Sequence, residues 1–463
     1  MDAITDLPPE VWQALRERLH RAGFVAGYPA GLMRPGIGMH AESLQRAIHR
    51  WHVQQRLDCA AHVFRMFVLG DPVSRAEAEA ALGANLLGTL STSGLMVATA
   101  EDGIVSAFVL RMYRGFLVLC DDLEHFGDSV YGSGHGTQAF SDFAADARIG
   151  RALDLGCGAG AVALWLSARA DCVVATDVNP RALAFVAINA CLNGVTNVTT
   201  RLGSLLDPVA GETFDFIASQ PPYVPKAAGM EPATYLYGGP SGNELVALLM
   251  SGLPAHLNPG GRAMVVFEQP MPEVGDGGLG ALSRSDQDGL QFLFVLGDEV
   301  DADAYAMRHA APSLRSGIDA FDGAVTTMRA HLAAMGIRGL CPAVCAIARD
   351  GGVGWSATVR AGDAIWSEVS GAMIARLMTA QNALHGQTPE TSVALPTGCL
   401  LIRPAAGPPD ADLYLGMPRG YPLSSLRLSA ADWEAIQQSN AAVSLPTELR
   451  VRLADAGLLG GHA

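Results

Sequence analysis

The sequence predicts an α/β protein: a doubly wound sheet between residues 146 and 350, with an α+β region on either side. Three observations predict it. From residue 146 to about 270, short apolar stretches alternate with helical ones, the pattern of a parallel sheet covered by helices. The run DLGCGAG, from Asp154 to Gly160, stands between the first strand and the first helix. An acid, Asp177, ends the second strand 23 residues after Asp154. Ligands of such sheets sit beyond the carboxyl ends of the strands.

Residues 1–145 read as an N-terminal α+β domain. Leu7–Ala22 is helical, with Pro8 and Pro9 at its start. Ala41–Val68 continues as helix. Ser74 and Glu77 form a capping box for a helix over Ser74–Leu82. LLGTLS, LMVATA, IVSAFVLRMY and FLVLCDD follow as short strands. Helices followed by a small ribbon predict a winged-helix-like unit. Such units often bind DNA, but in this acidic chain a contact with substrate or a second subunit is favoured.

In the central domain, 146–350, the strands are RALDLG, CVVATD, VTTRLG, FDFIAS and AMVVFE. Ala161–Arg169 and Pro180–Leu192 are helices between them. LQFLFVLG and CPAVCAIARD supply two final antiparallel strands. The residues between these two, about 298–340, form an insertion with a helix near Ile318–Met335. Residues 351–463 form a C-terminal accessory region, with helices over Trp366–His385, Ser429–Gln438 and Pro446–Ala456 and a strand near Gly398–Arg403.

Composition narrows the function. Half of the residues are apolar and the net charge is −15, so a polyanion-binding face is disfavoured. Lys226 is the only lysine, and Arg supplies the other 30 of the 31 basic residues. Either codon bias or a role at the site mouth, three residues after Tyr223, accounts for it. No apolar run approaches the roughly 20 residues that span a bilayer. The acidic, amphipathic N-terminus lacks the features of a signal peptide, so a cytoplasmic location is expected. The eight Cys contain no paired CxxC motifs; Cys341 and Cys345, in CPAVC, stand alone. No metal is expected. The oligomeric state is left open, a homodimer being compatible with the sequence.

The glycine run lets backbone approach a ligand closely, and the helix start offers free N–H groups. It also fits the permissive dinucleotide fingerprint, at Gly156, Gly158 and Ala161. The acid Asp154 two residues earlier and Gly160, which makes the pattern GxGxG, shift the balance away from NAD. Asp177 is placed to accept both ribose hydroxyls of an adenosine ligand; Asn179 caps the helix that follows. Ser204, in LGSLLD, is the candidate reader of the adenine amino group.

These motifs resemble a family. DLGCGAG, VVATDVNPRAL, RLGSLLD, FDFIASQPPY and LNPGGRAMVVFE follow the order and spacing of class I S-adenosylmethionine-dependent methyltransferases. QPPY resembles the (N/D)PP(Y/F) signature of the amino- and amide-methylating branch, and the chain looks most like release-factor glutamine methyltransferases and their small-domain relatives. SVYGSGHGTQAF, Ser129 to Phe140, stands where those enzymes carry a loop over the cofactor. The resemblance covers about 130–270. It implies a Rossmann-like, seven-stranded methyltransferase core. It implies S-adenosylmethionine as cofactor, with S-adenosylhomocysteine as product, held by Asp154, Gly156, Cys157, Gly158, Gly160, Asp177, Val178, Asn179, Ser204, Leu205 and Gln220.

The resemblance also gives the tetrad a purpose. An acceptor nitrogen in a planar amide has a delocalised lone pair and must be held at the methyl carbon. Gln220 would supply the carboxamide, Pro221 a carbonyl and Tyr223 the ring that stacks on the acceptor. Gln in place of Asn carries its oxygen about 1.5 Å deeper, by bond geometry. Tyr131, His135, Pro222, Tyr235, Tyr237 and Glu268 are further substrate candidates. His135 is a candidate base. Glu268, placed at the end of AMVVFE, either binds substrate, acts as a base or is a solvated strand end.

The favoured expectation is N-methylation of a small molecule, as in natural product biosynthesis. The alternatives are a protein glutamine methyltransferase, an RNA base methyltransferase, non-methyl chemistry on S-adenosylmethionine, and a non-catalytic regulator built on winged-helix flanks.

Overall fold

The computed structural model describes residues 1–29, 31–33, 43–122, 127–138, 140, 149–230, 233–275, 278–283, 289–362, 371–386, 391–393, 395, 399–402, 413–417, 421–423, 425–438 and 442–461. Its centre is a mixed sheet. The strands are β1 (Ile149–Leu155), β2 (Ala170–Asp177), β3 (Val198–Leu202), β4 (Phe214–Ser219), β5 (Leu257–Pro272), β6 (Leu290–Gly297), β7 (Ile337–Arg349) and β8 (Trp355–Gly362). They lie in the order β8-β6-β7-β5-β4-β1-β2-β3, and the short strand Val300–Asp301 pairs with β7 off this path. The run from β5 through β4 and β1 to β3 is parallel. β7 is antiparallel to both β5 and β6.

Alternation along the strands serves two cores, as burial on both faces requires. Ala152, Val173, Phe216 and Met264 face one side, with helices α1 (Ala161–Ser167) and α2 (Pro180–Asn193). Leu153, Val174, Ile217 and Val265 face the other, with helix α3 (Glu244–Gly252). Two further helices, α4 (Ala302–Ala310) and α5 (Ile318–Ala334), lie between β6 and β7.

The sheet runs past residue 350, where the sequence reading ended the domain. β8 pairs in parallel with β6, covering an edge that would otherwise present unpaired backbone groups.

The N-terminal region shares the α1/α2 core: Trp12, Leu15 and Phe64 belong to it. Two asparagines of α2 fix the join. Asn189 exchanges two 2.8 Å hydrogen bonds with the backbone of Leu119, and Asn193 does the same for Leu117 at 3.0 and 2.7 Å. Each carboxamide acts as a short length of neighbouring strand for the hairpin of Val109–Tyr113 and Phe116–Cys120.

Three N-terminal expectations change. LLGTLS is not a strand; it lies in the helix Ala84–Thr92, where Leu87 and Leu90 bury one face. Ala41–Val68 is not one helix. Helix Ser43–Val53 ends, and a second starts at Cys59, where the Asp58 side chain caps it by accepting from the Ala61 N–H at 3.0 Å. IVSAFVLRMY is two strands, Gly103–Ser106 and Val109–Tyr113, in different sheets. The capping box stands as expected: Ser74 and Glu77 satisfy each other's backbone N–H.

The C-terminal region packs the helices Ala430–Gln438 and Thr447–Asp455 with a three-stranded sheet on a core of its own. Helix Gly371–Gly386 covers the expected Trp366–His385 span from 371 on and ends one residue past it; residues 366–370 of that span are outside the described residues.

Candidate active site

The glycine run leaves β1 and turns into α1. Gly158 has φ 51° and Gly160 φ 84°. A Cβ on Gly158 would stand 2.6 Å from the Tyr131 carbonyl oxygen, and one on Gly160 3.0 Å from Val186 in α2. The positive φ favours glycine at both positions, and at Gly158 the backbone oxygen of Tyr131 leaves no space for a Cβ as well, whereas at Gly160 Val186 would have to give by a few tenths of an ångström. Gly156 differs. Its Cβ position is open, with nothing within 4 Å, and Gly156 lines a cavity of about 430 Å³.

The two acids hold this loop together. Asp154 is buried, and its Oδ2 accepts from the Ala163 N–H in α1 at 2.8 Å. Burial pushes its carboxyl up to about 7. Asp177 accepts from the Gly158 N–H at 3.0 Å and the Asn179 N–H at 2.9 Å. Burial raises its pKa too. Both acids line the cavity, with Cys157, Val178 and Asn179. Gly160 lies behind, as the N-cap of α1. Ser204 and Leu205 line the cavity beyond Asp177, and Leu205 has φ 45°, a left-handed conformation that a bulky residue rarely adopts.

A segment from Ser129 onward lies over the glycine run. The Ala159 N–H donates to the Tyr131 carbonyl at 2.9 Å, and Asn179 Nδ2 donates to the Asp128 carbonyl at 2.8 Å. Asp121, paired with Arg181, accepts from the Val130 N–H at 2.9 Å. Tyr131 lines the cavity, and burial raises its phenol to about 12. The side chain of His135 is outside the described residues.

At the other end of the cavity, β4 ends at Ser219, whose hydroxyl donates to the Leu155 carbonyl of β1 at 2.9 Å. Gln220, Pro221, Pro222 and Tyr223 follow, and all four line the cavity. Thr137 Oγ1 donates to Gln220 Oε1 at 3.2 Å and itself accepts from the Gly134 N–H at 3.1 Å. A Cβ on Gly136 would fall 2.9 Å from Gln220 Nε2. The covering segment thus makes room for the extra methylene of Gln and holds its carboxamide.

Tyr223 reaches both the α3-side core and the core of the insertion. Its pKa is raised, first by burial and then by the Glu268 carboxylate. Tyr235 also lines the cavity, with its ring stacked on Tyr131 at 6.5 Å between centroids. Tyr237 goes elsewhere: its ring faces the Lys226 ammonium at 5.6 Å.

Glu268 corrects its expected place. It is not at a strand end, because β5 continues to Pro272, and it is 5% exposed. It accepts from the Tyr305 hydroxyl at 3.0 Å and from Arg308 Nη2 at 2.7 Å. Both partners belong to α4. Arg308 and His309 line the cavity beside Glu268. Burial, then the neighbouring Arg308, depresses the His309 imidazole to about 3, so it is neutral at pH 7. Sequence reasoning missed Tyr305, Arg308 and His309. The signal available was ADAYAMRHA, a helix carrying Tyr and His four apart with Arg between, inside an insertion.

Residues 130–274 match the family model of the methyltransferase small domain. This segment is a class I S-adenosylmethionine-dependent methyltransferase domain. Release factor glutamine methyltransferases are similar to it. Those of Xylella fastidiosa (strain Temecula1) and Geobacter sulfurreducens are 37% and 36% identical over 121 and 124 residues, each covering 24% of this chain and 44% and 43% of their own. The chain thus spans under half the length of the curated relatives it matches. Among solved structures, a ribosomal protein L11 methylase from Lactobacillus delbrueckii subsp. bulgaricus is 21% identical over 30% of this chain and 64% of that one, with a TM-score of 0.24. The domain's cofactor is S-adenosylmethionine. The residues present fit it: an open space at Gly156, a cavity-lining carboxylate at the end of β2, and Gly158 held by its N–H on the Asp177 carboxylate.

Proposed function

We propose that the chain N-methylates a carboxamide, with a protein glutamine side chain as the favoured acceptor. One observation carries this reading: the glycine loop and the QPPY corner open into the same cavity. The relatives named above support a protein acceptor, and none of them is named for a small molecule. The favoured small-molecule expectation therefore gives way to its alternative. S-adenosylmethionine, when bound, supplies an electrophilic methyl group. Asp177 would accept the ribose hydroxyls, and Ser204 and Leu205 would border the adenine. Gln220 and the Pro221 carbonyl would accept the two N–H bonds of the acceptor amide, leaving the nitrogen directed toward the cofactor end. Tyr223 would support the acceptor plane from the side.

The flanks take accessory roles in this reading. The segment from Cys59 to Ser106 runs helix, strand, two helices and two strands, with Val73–Ser74 and Met96–Ala98 on either side of Gly103–Ser106. We read it as winged-helix-like. Arg75 is the only basic residue from 75 to 92, which opposes a nucleic-acid role for its helices. No helix among the described residues is long and apolar enough to cross a membrane.

The test is calorimetric binding of S-adenosylmethionine and S-adenosylhomocysteine to the full chain, followed by incubation of a cell extract with methyl-labelled S-adenosylmethionine. Label on glutamine side chains of protein is expected. Label only on small molecules would restore the first expectation, and binding of neither nucleotide would remove the reading.

A further inference from the structure

The acceptor end of the cavity has a wall that the sheet and its motifs do not supply. It comes from α4, in the insertion between β6 and β7. Arg308 is held there by two contacts. Nη2 donates to the buried Glu268, and the guanidinium lies over the Tyr305 ring at 5.0 Å. Its side chain is nonetheless 46% exposed, whereas that of Glu268 is 7% exposed. The pair therefore runs from the interior of the cavity toward its mouth, and Arg308 is the outer member.

A guanidinium carries five N–H donors in a fixed plane. Among the described residues, only Nη2 has a protein acceptor. A fork anchored on one arm by a buried carboxylate and an aromatic face is pre-organised for an oxygen ligand on its remaining N–H groups. A merely structural role, neutralising Glu268, would be met equally by an arginine buried against it and turned from the cavity. Arg308 instead lines the cavity with His309.

The charge of the wall selects the oxygen. The Glu268 carboxylate cancels the Arg308 guanidinium, and His309 is neutral. A carboxylate entering here meets no net positive charge and must still be desolvated. An uncharged carbonyl is desolvated at far lower cost and takes the same N–H donors.

We propose that Arg308 is a specificity-determining residue that binds an amide carbonyl oxygen of the acceptor molecule at the cavity mouth, on a wall whose neutrality excludes carboxylates. This rests on the methyl-transfer reading for its purpose but not for its test. The carbonyl has two possible sources, the main chain of a peptide or the amide of a small molecule. The protein acceptor proposed above favours the peptide.

The experiment uses the full chain labelled with ¹⁵N-arginine and saturated with S-adenosylhomocysteine. The Arg308 Nε–Hε resonance is assigned by its loss in Arg308→Lys. N-acetylglycinamide and sodium acetate are titrated separately at equal ionic strength. The resonance is expected to move saturably with N-acetylglycinamide, with acetate at least about fivefold weaker. Glu268→Gln, which unmasks the charge, is expected to bring acetate to equal or tighter binding than the amide. No movement with either probe, or acetate preferred by the unsubstituted protein, would overturn the proposal. A four-residue glycine-alanine peptide binding about tenfold tighter than N-acetylglycinamide would assign the carbonyl to a peptide chain, and equal affinities would assign it to a small amide; both uphold the wall. Failure of S-adenosylhomocysteine to bind is read separately, by calorimetry. It would count against the methyl-transfer reading, and the Arg308 titration would then be run on the nucleotide-free protein with the same expected and overturning outcomes.

Discussion

The two ends of the cavity are built in different ways. At the cofactor end, two carboxylates, Asp154 and Asp177, hold backbone N–H groups of α1 and of the glycine loop that leads into it, with the covering segment bonded to that loop at Tyr131 and to Asn179 at Asp128. At the acceptor end, four separate segments converge: the covering segment at Gly136 and Thr137, the QPPY corner, Glu268 of β5, and α4. Backbone donors and positive-φ glycines tolerate few sequences. Side chains brought from distant segments can be exchanged one at a time. The first end is suited to a shared cofactor and the second to an acceptor particular to this chain.

The largest expected effect separates the two ends. On the proposed reading, Gln220→Ala should lower methyl transfer by roughly 100-fold or more, because the acceptor amide would lose its orientation. S-adenosylhomocysteine affinity should stay within about threefold, since among the described residues Gln220 is bonded to Thr137 of the covering segment and not to the glycine loop. The fit at Gly136 sharpens this. Gly136→Ala should lower turnover by displacing the Gln220 carboxamide, and the pair Gly136→Ala with Gln220→Asn should recover part of it. No recovery would mean that Gly136 matters for the loop and not for Gln220. Full activity in Gln220→Ala would take the carboxamide out of the mechanism.

Asp177→Ala addresses the opposite end. It removes the acceptor of the Gly158 and Asn179 N–H groups as well as the expected ribose contact. Calorimetry should show S-adenosylmethionine affinity reduced by more than about tenfold. Unchanged affinity would sink the ribose assignment. A smaller effect is expected from Tyr305→Phe, which takes one of two hydrogen bonds from the buried Glu268. Stability in urea should fall by about 1–2 kcal/mol, with cofactor affinity unmoved. Loss of cofactor affinity there would erase the distinction between the ends.

The same contrast governs what could be read from the sequence. The glycine loop, Asp177 and QPPY were legible because local geometry dictates them: a strand ends, a turn needs glycine, a helix begins. The wall of the acceptor end was not. Glu268 meets Arg308, 40 positions further along the chain, and nothing near either residue announces the other. An acid after AMVVF reads as a strand end only because β5 runs on through QPMP, where two prolines argue against a strand. LLGTLS carried leucines spaced for a helix, but its brevity and Thr content suited a strand equally. Asn189 and Asn193 looked like ordinary helix residues, because their partner is the backbone of a hairpin 70 or more residues earlier.

The smallest predicted effect lies away from both ends and tests whether the comparison is specific. Glu212, in the turn before β4, pairs with Arg201 of β3 and with Arg151 of β1. These hydrogen bonds, from Arg201 first and then Arg151, hold its carboxyl down to about 2 against an ordinary value of 4.5. A depressed carboxyl stabilises the fold fully above its unfolded pKa. That contribution should therefore be lost as the pH falls from about 4.5 through about 2. All three side chains are partly exposed, so solvent screening limits the effect, and Glu212→Gln should cost under about 1 kcal/mol at pH 7. The substituted and unsubstituted proteins should converge in urea stability toward pH 2. Neither S-adenosylhomocysteine binding nor methyl transfer should change. A change in either would mean that the sheet transmits strain to the cavity, and the two ends could then no longer be treated as separately built.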